Sequence, residues 1–347
     1  MIVPSVHSEP AWWKRRWLWR GAVALGTALF VVAYVIWLFQ PANSHARATK
    51  EVRVSVGQTA SDVAANLQRR GIIRSAWAFE LLSRYDGVAT HLTAGVYRLS
   101  PAQSLSSILT AMRAGDVVTI KVAVPEGFTV HQIVERLIHD HIGTWAQYRR
   151  LQQHPLKGMP SPRPGVRDPW EGYLFPATYA FAPGTTARQA VVTMWQTFHQ
   201  RVVVDLYDRS HTPLTLVQWV TLASIVQQEA KESSQGPKVA AVFLNRLKLG
   251  MPFQSDATVR YALGKSVPNG LTLKDLTVAS PYNTYIHKGF PPGPIANPGL
   301  AMLKAALHPA SVPYLYFVSL RSGRLLFATT LAQHDADIAY AKKHPNA

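Results

Sequence analysis

The apolar and polar positions first separate one continuous hydrophobic segment from the rest of the chain. Residues 21–40 form an apolar run that contains no charged side chain. About 20 apolar residues in a helix rise about 30 Å, enough to cross the hydrocarbon core of a bilayer. The run therefore predicts one membrane-spanning helix at 21–40, between a short N-terminus at 1–20 and a tether at 41–50.

A cleavable signal peptide is the competing interpretation of this apolar run. The run is longer than the apolar region of most signal peptides, and residues 41–46 contain no small-residue cleavage motif, so an uncleaved anchor is favoured. Four basic residues and four tryptophans crowd residues 12–20. Because basic residues stay on the inner side, everything after Pro41 is predicted to be exported, which in a bacterium means the inner membrane with a periplasmic domain.

Short alternating segments and short helical patterns follow in residues 51–116. The alternation at 52–56 and at Gly95–Leu99 predicts two strands. Ser61 and Ser75 precede helical patterns and are suitable N-caps, and a glycine follows most of these segments. We therefore expect a small α+β module over residues 51–116.

Longer helical periodicities dominate after Asp116, where we place a domain boundary. Residues 117–124 predict a strand, and Thr212-Pro213 predicts the cap and first position of a long helix. The apolar positions of that helix recur at three- and four-residue steps: Leu216, Val220, Ala223 and Val226. The turn at 321–323 predicts a hairpin. A larger mixed α+β domain over residues 117–347 is expected.

Composition adds a location and a class of partner to this picture. The hydrophobic fraction of 48% and ten tryptophans indicate a folded protein, and the net charge is +17. Outside residues 1–50 there are 30 Lys and Arg against 18 Asp and Glu, which suits an anionic cell-wall polymer or lipid headgroups but equally fits generic surface charge. No nucleic-acid-binding motif is present, and the absence of cysteine fits an exported protein without disulfides.

Glu229 is the first candidate for chemistry because it shares a helix face with apolar side chains. It follows Val226 by three residues, Ile225 by four and Leu222 by seven. Burial would raise its pKa and let it act as a general acid near neutral pH. The alternative is that Glu229 lies at a frayed helix end and pairs with Lys231 or an arginine.

Two further acids and a polar loop accompany Glu229. Glu232 lies one turn on, beside a helix-breaking segment, and is expected to be solvated. Asp256 is the nearest candidate for a second carboxyl group, as glycoside hydrolysis usually requires, although it is also a suitable N-cap for the following helix. Gln254 and the loop containing Asn283 and Tyr285 suit sugar binding, although the tyrosines could equally cover the domain surface.

Other chemistries have less support in this sequence. The thirteen histidines show no zinc-ligand spacing beside a carboxylate, and no cysteine is available as a ligand. There is no G-x-S-x-G nucleophile motif and no phosphate-binding glycine loop. We expect neither a metal nor a cofactor.

Several long runs carry a resemblance to a known family. They are VTLASIVQQEA, VAAVFLNRLKLGMPFQSDATVRYALG, SPYNTYIHKGFPPGPIANPG, EGYLFPATYAF and ALHPASVPYLYFV. Together they span most of residues 120–335 and resemble the YceG/MltG family of endolytic murein transglycosylases. The module at 51–116 is similar to the LysM-like segment of that family.

The resemblance implies a single-pass inner-membrane enzyme that cuts peptidoglycan strands between N-acetylmuramic acid and N-acetylglucosamine and leaves 1,6-anhydro ends. Synthases of the penicillin-binding type are the partners it suggests. The second acid of the family's helix motif is catalytic; here the first acid is Gln227 and the second aligns with Glu229. Asp256 is then not required for catalysis, and the candidates for orienting sugar are Gln254, Asn283 and Tyr285.

Three departures from the family pattern leave a second interpretation open. Ala177 stands where Asp is usual, Ala257 replaces a Pro, and Leu325 replaces a frequent His. A non-catalytic peptidoglycan-binding scaffold is therefore the alternative to the transglycosylase, and a plain hydrolase is a third reading. The intact Glu229 favours an enzyme.

Overall fold

A computed structural model describes residues 12–88, 92–154, 156, 158–159, 163–265, 267–268 and 270–344. The chain divides into two units between Thr119 and Ile120, three residues after the domain boundary placed at Asp116. The basic and aromatic flank that predicts the membrane orientation lies outside the described residues, apart from the helical backbone from Trp12 and the exposed side chains of Trp19 and Arg20.

The first unit begins with a long apolar helix, α1 (Trp12–Phe39). Its segment Ala22–Phe39 has a mean hydropathy of 2.3 and none of it is buried within the protein. Length and composition suffice to cross a bilayer. The helix is therefore consistent with the predicted membrane anchor.

The rest of the first unit is a two-stranded sheet covered by three short helices. Its elements are β1 (Lys50–Val54), α2 (Ala60–Arg69), α3 (Ala76–Tyr85), β2 (Gly95–Leu99) and α4 (Leu105–Ala114). The strands are antiparallel, with Lys50 opposite Leu99 and Val54 opposite Gly95. Ser75 is the N-cap of α3 as predicted, but the cap of α2 is Thr59 and not Ser61, because Thr59 and Asp62 form a reciprocal capping box.

The second unit holds eight α-helices, a π-helical segment, two 3-10 turns and two small sheets within its described residues. Its elements are β3 (Ile120–Ala123), α5 (Val130–His139), α6 (Trp145–Gln153), β4 (Thr178–Phe181), α7 (Ala187–Phe198) with a π-helical continuation (His199–Tyr207), α8 (Leu216–Glu229), a 3-10 turn (Ser233–Gln235), α9 (Gly236–Lys248), α10 (Asp256–Leu263), a second 3-10 turn (Asp275–Thr277), α11 (Leu300–Leu307), β5 (Tyr316–Ser319), β6 (Leu325–Ala328) and α12 (Leu331–Lys343). The sheets pair β3 with β4 and β5 with β6, both antiparallel.

Helix α8 lies at the centre of the second unit. Its residues from Trp219 to Val226 are all buried, and it packs against α9 and α11. The indole Nε1 of Trp219 donates to the carbonyl oxygen of Leu303 at 2.9 Å, which joins α8 to α11. A helix whose central residues are all buried holds its last residue at a defined place in the domain.

The start of α8 differs from the sequence prediction. Thr212-Pro213 is not the cap; the N-cap is Thr215, whose hydroxyl accepts from the backbone of Gln218 while the Gln218 side chain accepts from the backbone of Thr215. This reciprocal pair satisfies two backbone donors, whereas Thr212 followed by Pro offers no matching partner three residues later.

Candidate active site

A large cleft in the second unit passes the C-terminal end of α8. Its volume is about 1230 Å³, and its walls come from the start of α5, residues 167–171, α8 and α10. The ionisable side chains that line it are Glu126, His131, Glu135, Arg167, Asp168, Glu171, Glu229, Asp256, Arg260 and Lys265. An open cleft with many hydrogen-bonding groups suits a polar, extended ligand.

Glu229 is the last residue of α8 and lies in this cleft. The chain leaves the helix at Ala230, whose backbone is extended, while the preceding Ile225 and Val226 are completely buried. The Oε1 atom of Glu229 accepts a hydrogen bond from the Ser255 hydroxyl at 2.6 Å. The backbone of Ala257 lies close enough to the same carboxyl group to lower its pKa.

Burial raises the pKa of Glu229 above its ordinary value, and the charge of Asp256 acts in the same direction. The hydrogen bond from Ser255, the nearby backbone of Ala257 and the charge of Arg260 lower the pKa but do not cancel the effect of burial. Among the described residues, no ion pair within 4.0 Å includes Glu229. The alternative of a frayed end paired with Lys231 is therefore wrong.

Glu232 is exposed, as expected, and does not line the cleft. Its backbone flanks the 3-10 turn that follows α8, and its carboxylate lies 3.5 Å from the Ser234 hydroxyl. Of the two acids at this end of α8, only Glu229 is placed to act in the cleft.

Asp256 lines the same cleft as Glu229 and is hydrogen-bonded to Tyr285. The Tyr285 hydroxyl donates to Oδ1 of Asp256 at 2.7 Å. The prediction that Asp256 caps α10 is wrong, because Ser255 is the N-cap and Asp256 is the first helical residue. The carboxylate of Asp256 is therefore free of a capping role and is exposed on the cleft.

Gln254 and Asn283 are placed differently from what the sequence suggested. Gln254 has a left-handed backbone (φ 52°), and its amide oxygen accepts from Nη1 of Arg246 at 3.2 Å, outside the cleft lining. Asn283 is completely buried; its Nδ2 donates to the carbonyls of Leu276 and Val278, and its Oδ1 accepts from the backbone of Tyr285. Asn283 thus shapes the loop that carries Tyr285, and its burial excludes contact with a sugar.

A second buried acid in the cleft wall was not singled out from the sequence. Oε1 of Glu171 accepts from the backbone of Val130 and from Nδ2 of Asn297, each at 3.0 Å. Burial raises the pKa of Glu171 well above its ordinary value, and the neighbouring charge of Asp168 adds to this. The sequence signal that could have found Glu171 was an acid between Trp170 and the apolar run that follows it. Glu229 was likewise found as an acid among apolar neighbours.

Asp168 precedes Glu171 in the same wall. Burial raises the pKa of Asp168 to about 6, although hydrogen bonds from the Trp170 backbone and from Gln152 oppose the shift. Asn297 also donates to the carbonyl of Phe128 and accepts from the backbone of Leu174. The Asp168–Glu171 wall therefore ties three chain segments together around the cleft.

Gln227 stands at the position where the family pattern has its first acid. Its Oε1 accepts from the backbone N–H of Gly299 at 2.9 Å, and the side chain lines the cleft. A neutral amide makes this contact without placing a second negative charge two residues from Glu229. Among the described residues, no group of three or more histidine or acidic side chains is arranged to hold a metal ion.

Fold and site together define an α+β protein with a partly buried glutamic acid, Glu229, in a polar cleft, and such a residue suits general acid–base chemistry on an extended polar ligand. The sequence profile of the YceG-like family matches residues 52–340. The chain belongs to this family.

Curated and solved relatives agree with this assignment. The chain is 32% identical over 312 residues to the endolytic murein transglycosylase of Bacillus subtilis, covering 86% of each protein. It is 26% identical over 339 residues to the protein of the same name from Streptococcus pneumoniae strain R6, of which it spans 61%. The crystal structure of a yceG-like protein from Listeria monocytogenes matches with a TM-score of 0.59 and 32% identity, covering 84% of this chain and 99% of that one.

Proposed function

We propose that this protein is an endolytic lytic transglycosylase that cleaves nascent peptidoglycan between N-acetylmuramic acid and N-acetylglucosamine and leaves 1,6-anhydro ends. The observation that carries the proposal is the placement of Glu229, with a raised pKa, in a cleft large enough for a glycan strand. The shared name of the curated relatives supports the same reaction and substrate.

One carboxyl group suffices for this reaction. Protonated Glu229 gives its proton to the glycosidic oxygen as the bond to the muramic anomeric carbon breaks, and the electron pair leaves with that oxygen. The C6 hydroxyl of the same muramic residue then attacks the anomeric carbon, and the Glu229 carboxylate takes the proton of that hydroxyl. Water is not consumed, and Glu229 returns to its protonated state.

The groups around Glu229 favour both forms that the reaction requires, the acid and the carboxylate. The hydrogen bond from Ser255 stabilises the carboxylate that forms when the bond breaks, while burial favours the acid before it breaks. Asp256, oriented by the Tyr285 hydroxyl, supplies negative charge on the cleft wall, where it stabilises the positive charge that develops on the sugar ring.

The location follows from the same proposal. Helix α1 anchors the chain in the bacterial inner membrane, and the catalytic domain lies in the periplasm beside newly made strands. We assign the module at 51–116 to the LysM-like segment of the family. The protein acts as a terminator of glycan elongation and works beside synthases of the penicillin-binding type.

The test is mass spectrometry of the products formed by the full chain in detergent from uncrosslinked glycan strands. Anhydro-ended fragments are expected from the wild type and from the matched control Glu232→Gln, whereas Glu229→Gln should lose activity by roughly a hundredfold or more because proton transfer is removed. Fragments with reducing muramic ends would indicate a hydrolase instead. Glycan binding without cleavage by folded wild-type protein would indicate the non-catalytic scaffold.

A further inference from the structure

Helix α3 of the first unit exposes a row of large apolar side chains. Trp77, Leu81 and Tyr85 are 55%, 47% and 88% exposed, and their four-residue spacing places them on one face of the helix. The other face of α3 contributes Ala78 and Phe79, both completely buried, to the core of the module. We call Trp77, Leu81 and Tyr85 the α3 stripe.

The α3 stripe begins at the end of the anchor helix. The rings of Phe39 and Trp77 meet edge to face, with centroids 6.4 Å apart. Leu38 and Phe39, the last two residues of α1, pack against the core of the module. Trp77 is therefore adjacent to the point where the apolar segment of α1 ends.

Polar contacts also stabilise the junction between α1 and the module. The guanidinium of Arg74 lies 4.3 Å from the centre of the Trp37 ring, and its Nε donates to the carbonyl of Pro41 at 2.8 Å. The backbone N–H of Asn43 donates to the carbonyl of Pro101 at 2.9 Å. The segment after α1 is thus bonded to the module within a few residues of the helix end, which fixes the height of the module above the bilayer.

The thickness of a bilayer determines what surrounds Trp77. The apolar window of α1 ends at Phe39. Beyond the hydrocarbon core, a headgroup layer extends roughly 5–8 Å on each side. A side chain in contact with Phe39 lies within that layer, which is also the depth that tryptophan and tyrosine favour.

We propose that the α3 stripe lies in the headgroup layer of the membrane surface from which the module emerges. This inference rests on the proposed membrane anchor. Lipid is the favoured occupant because the stripe continues the apolar surface of α1, where Tyr34 and Trp37 are also exposed and stacked on each other. The module is then seated on the bilayer and is not held at the end of a free tether.

The absence of cysteine makes the depth of individual residues measurable. Leu81→Cys in the full chain is labelled with an environment-sensitive fluorophore and reconstituted into phosphatidylcholine vesicles that carry a nitroxide on the headgroup. The nitroxide quenches only fluorophores at its own depth. Circular dichroism confirms that the labelled protein is folded.

Val56→Cys is the matched negative control, because Val56 is an apolar side chain of the same module and is 92% exposed. It follows the Val54–Gly95 end of the sheet, whereas the Lys50–Leu99 end is the one joined to the anchor segment through Pro101. The four residue steps of β1 from Lys50 to Val54 cover about 13 Å, and Val56 follows in the turn beyond that end. Val32→Cys, in the middle of α1, is the positive control for insertion. Quenching of its label is measured in vesicles whose lipids carry a nitroxide deep in the acyl chain.

Headgroup quenching at Leu81 should be at least about twofold stronger than at Val56, as for an interfacial apolar face. Equal quenching at Leu81 and Val56, with Val32 strongly quenched by the deep nitroxide, would overturn the seated module and leave the anchor intact. If headgroup quenching at Leu81 is absent and energy transfer occurs between labelled copies, the α3 stripe contacts a second copy of the chain and not lipid. Absence of deep quenching at Val32 would overturn the anchor itself.

Discussion

At the scale of single residues, the pKa of the candidate acid Glu229 depends on the polar groups around its carboxyl group. The Ser255 hydroxyl donates to it at 2.6 Å, and the Ala257 backbone also lowers its pKa, against the larger effect of burial. The family pattern has proline at the position of Ala257, and proline has no N–H. This chain therefore has a backbone N–H near Glu229 that the usual pattern lacks.

Ser255→Ala should shift the alkaline limb of the pH profile of kcat/KM to higher pH. Glu229 must be protonated to donate, so activity falls as pH rises through its pKa, and loss of a donor to the carboxylate raises that pKa further. A hydrogen bond to a charged group corresponds to a shift of about one pH unit. An unchanged limb would mean that Ser255 does not stabilise the carboxylate during turnover.

Ala257→Pro tests the same point independently. Proline is tolerated in the first turn of a helix, so α10 should form normally, yet the backbone N–H that lowers the pKa of Glu229 is removed. The alkaline limb should move in the same direction as in Ser255→Ala. Ala257→Ser, which keeps the N–H, is the control and should leave the limb where it is in the wild type.

At the scale of elements, α8 positions the candidate acid Glu229, and its start is set by a capping box. The apolar periodicity of this helix was correctly predicted. The starting residue was not, because Thr212-Pro213 is also a common way to begin a helix. Only the reciprocal bonds between Thr215 and Gln218 decide between the two threonines.

Thr215→Ala should lower the free energy of unfolding by about 1 kcal/mol, since it removes the side-chain acceptor of the capping box. Thr212→Ala is the control and should cost less than about half of that, since its hydroxyl accepts only from the Leu214 backbone at 3.3 Å. Denaturant unfolding of both variants measures the difference. Equal destabilisation would contradict the assigned cap.

At the scale of the whole molecule, two buried acids in the cleft wall link stability to pH. Burial raises the pKa of Asp168 to about 6 and that of Glu171 well above its ordinary value. Unfolding exposes both groups and returns their pKa values to about 4. Between these values the folded protein binds more protons than the unfolded chain, so stability falls as pH rises.

The contribution of these two groups to the free energy of unfolding should therefore be greatest below about pH 4. It should decline as pH rises through 6 and beyond. Each group contributes at most about 1.4 kcal/mol per pH unit. Glu171→Gln, which cannot ionise, should flatten the decline above pH 6. A wild-type curve that rises over this range would contradict the raised pKa values of Asp168 and Glu171.

Local features of this protein could be determined from its sequence alone. The apolar helix, the strand at Gly95–Leu99, the cap at Ser75 and the apolar face that leads to Glu229 depend on residues within a few positions of each other. Helix periodicity and capping are interactions over three or four residues, so the printed order of residues already contains them. Family membership also rests on linear runs of residues.

Only the tertiary structure decided which side chains meet in the cleft. Ser255 lies 26 residues from Glu229 and Asn297 lies 126 residues from Glu171, and no local pattern relates such positions. Asn283 illustrates the difference: its residue type suited a sugar ligand, but the fold buries it and uses its amide to shape a loop. Burial and the partners available in three dimensions, which set the pKa of Glu229, are properties of packing, because a carboxyl group titrates according to what surrounds it.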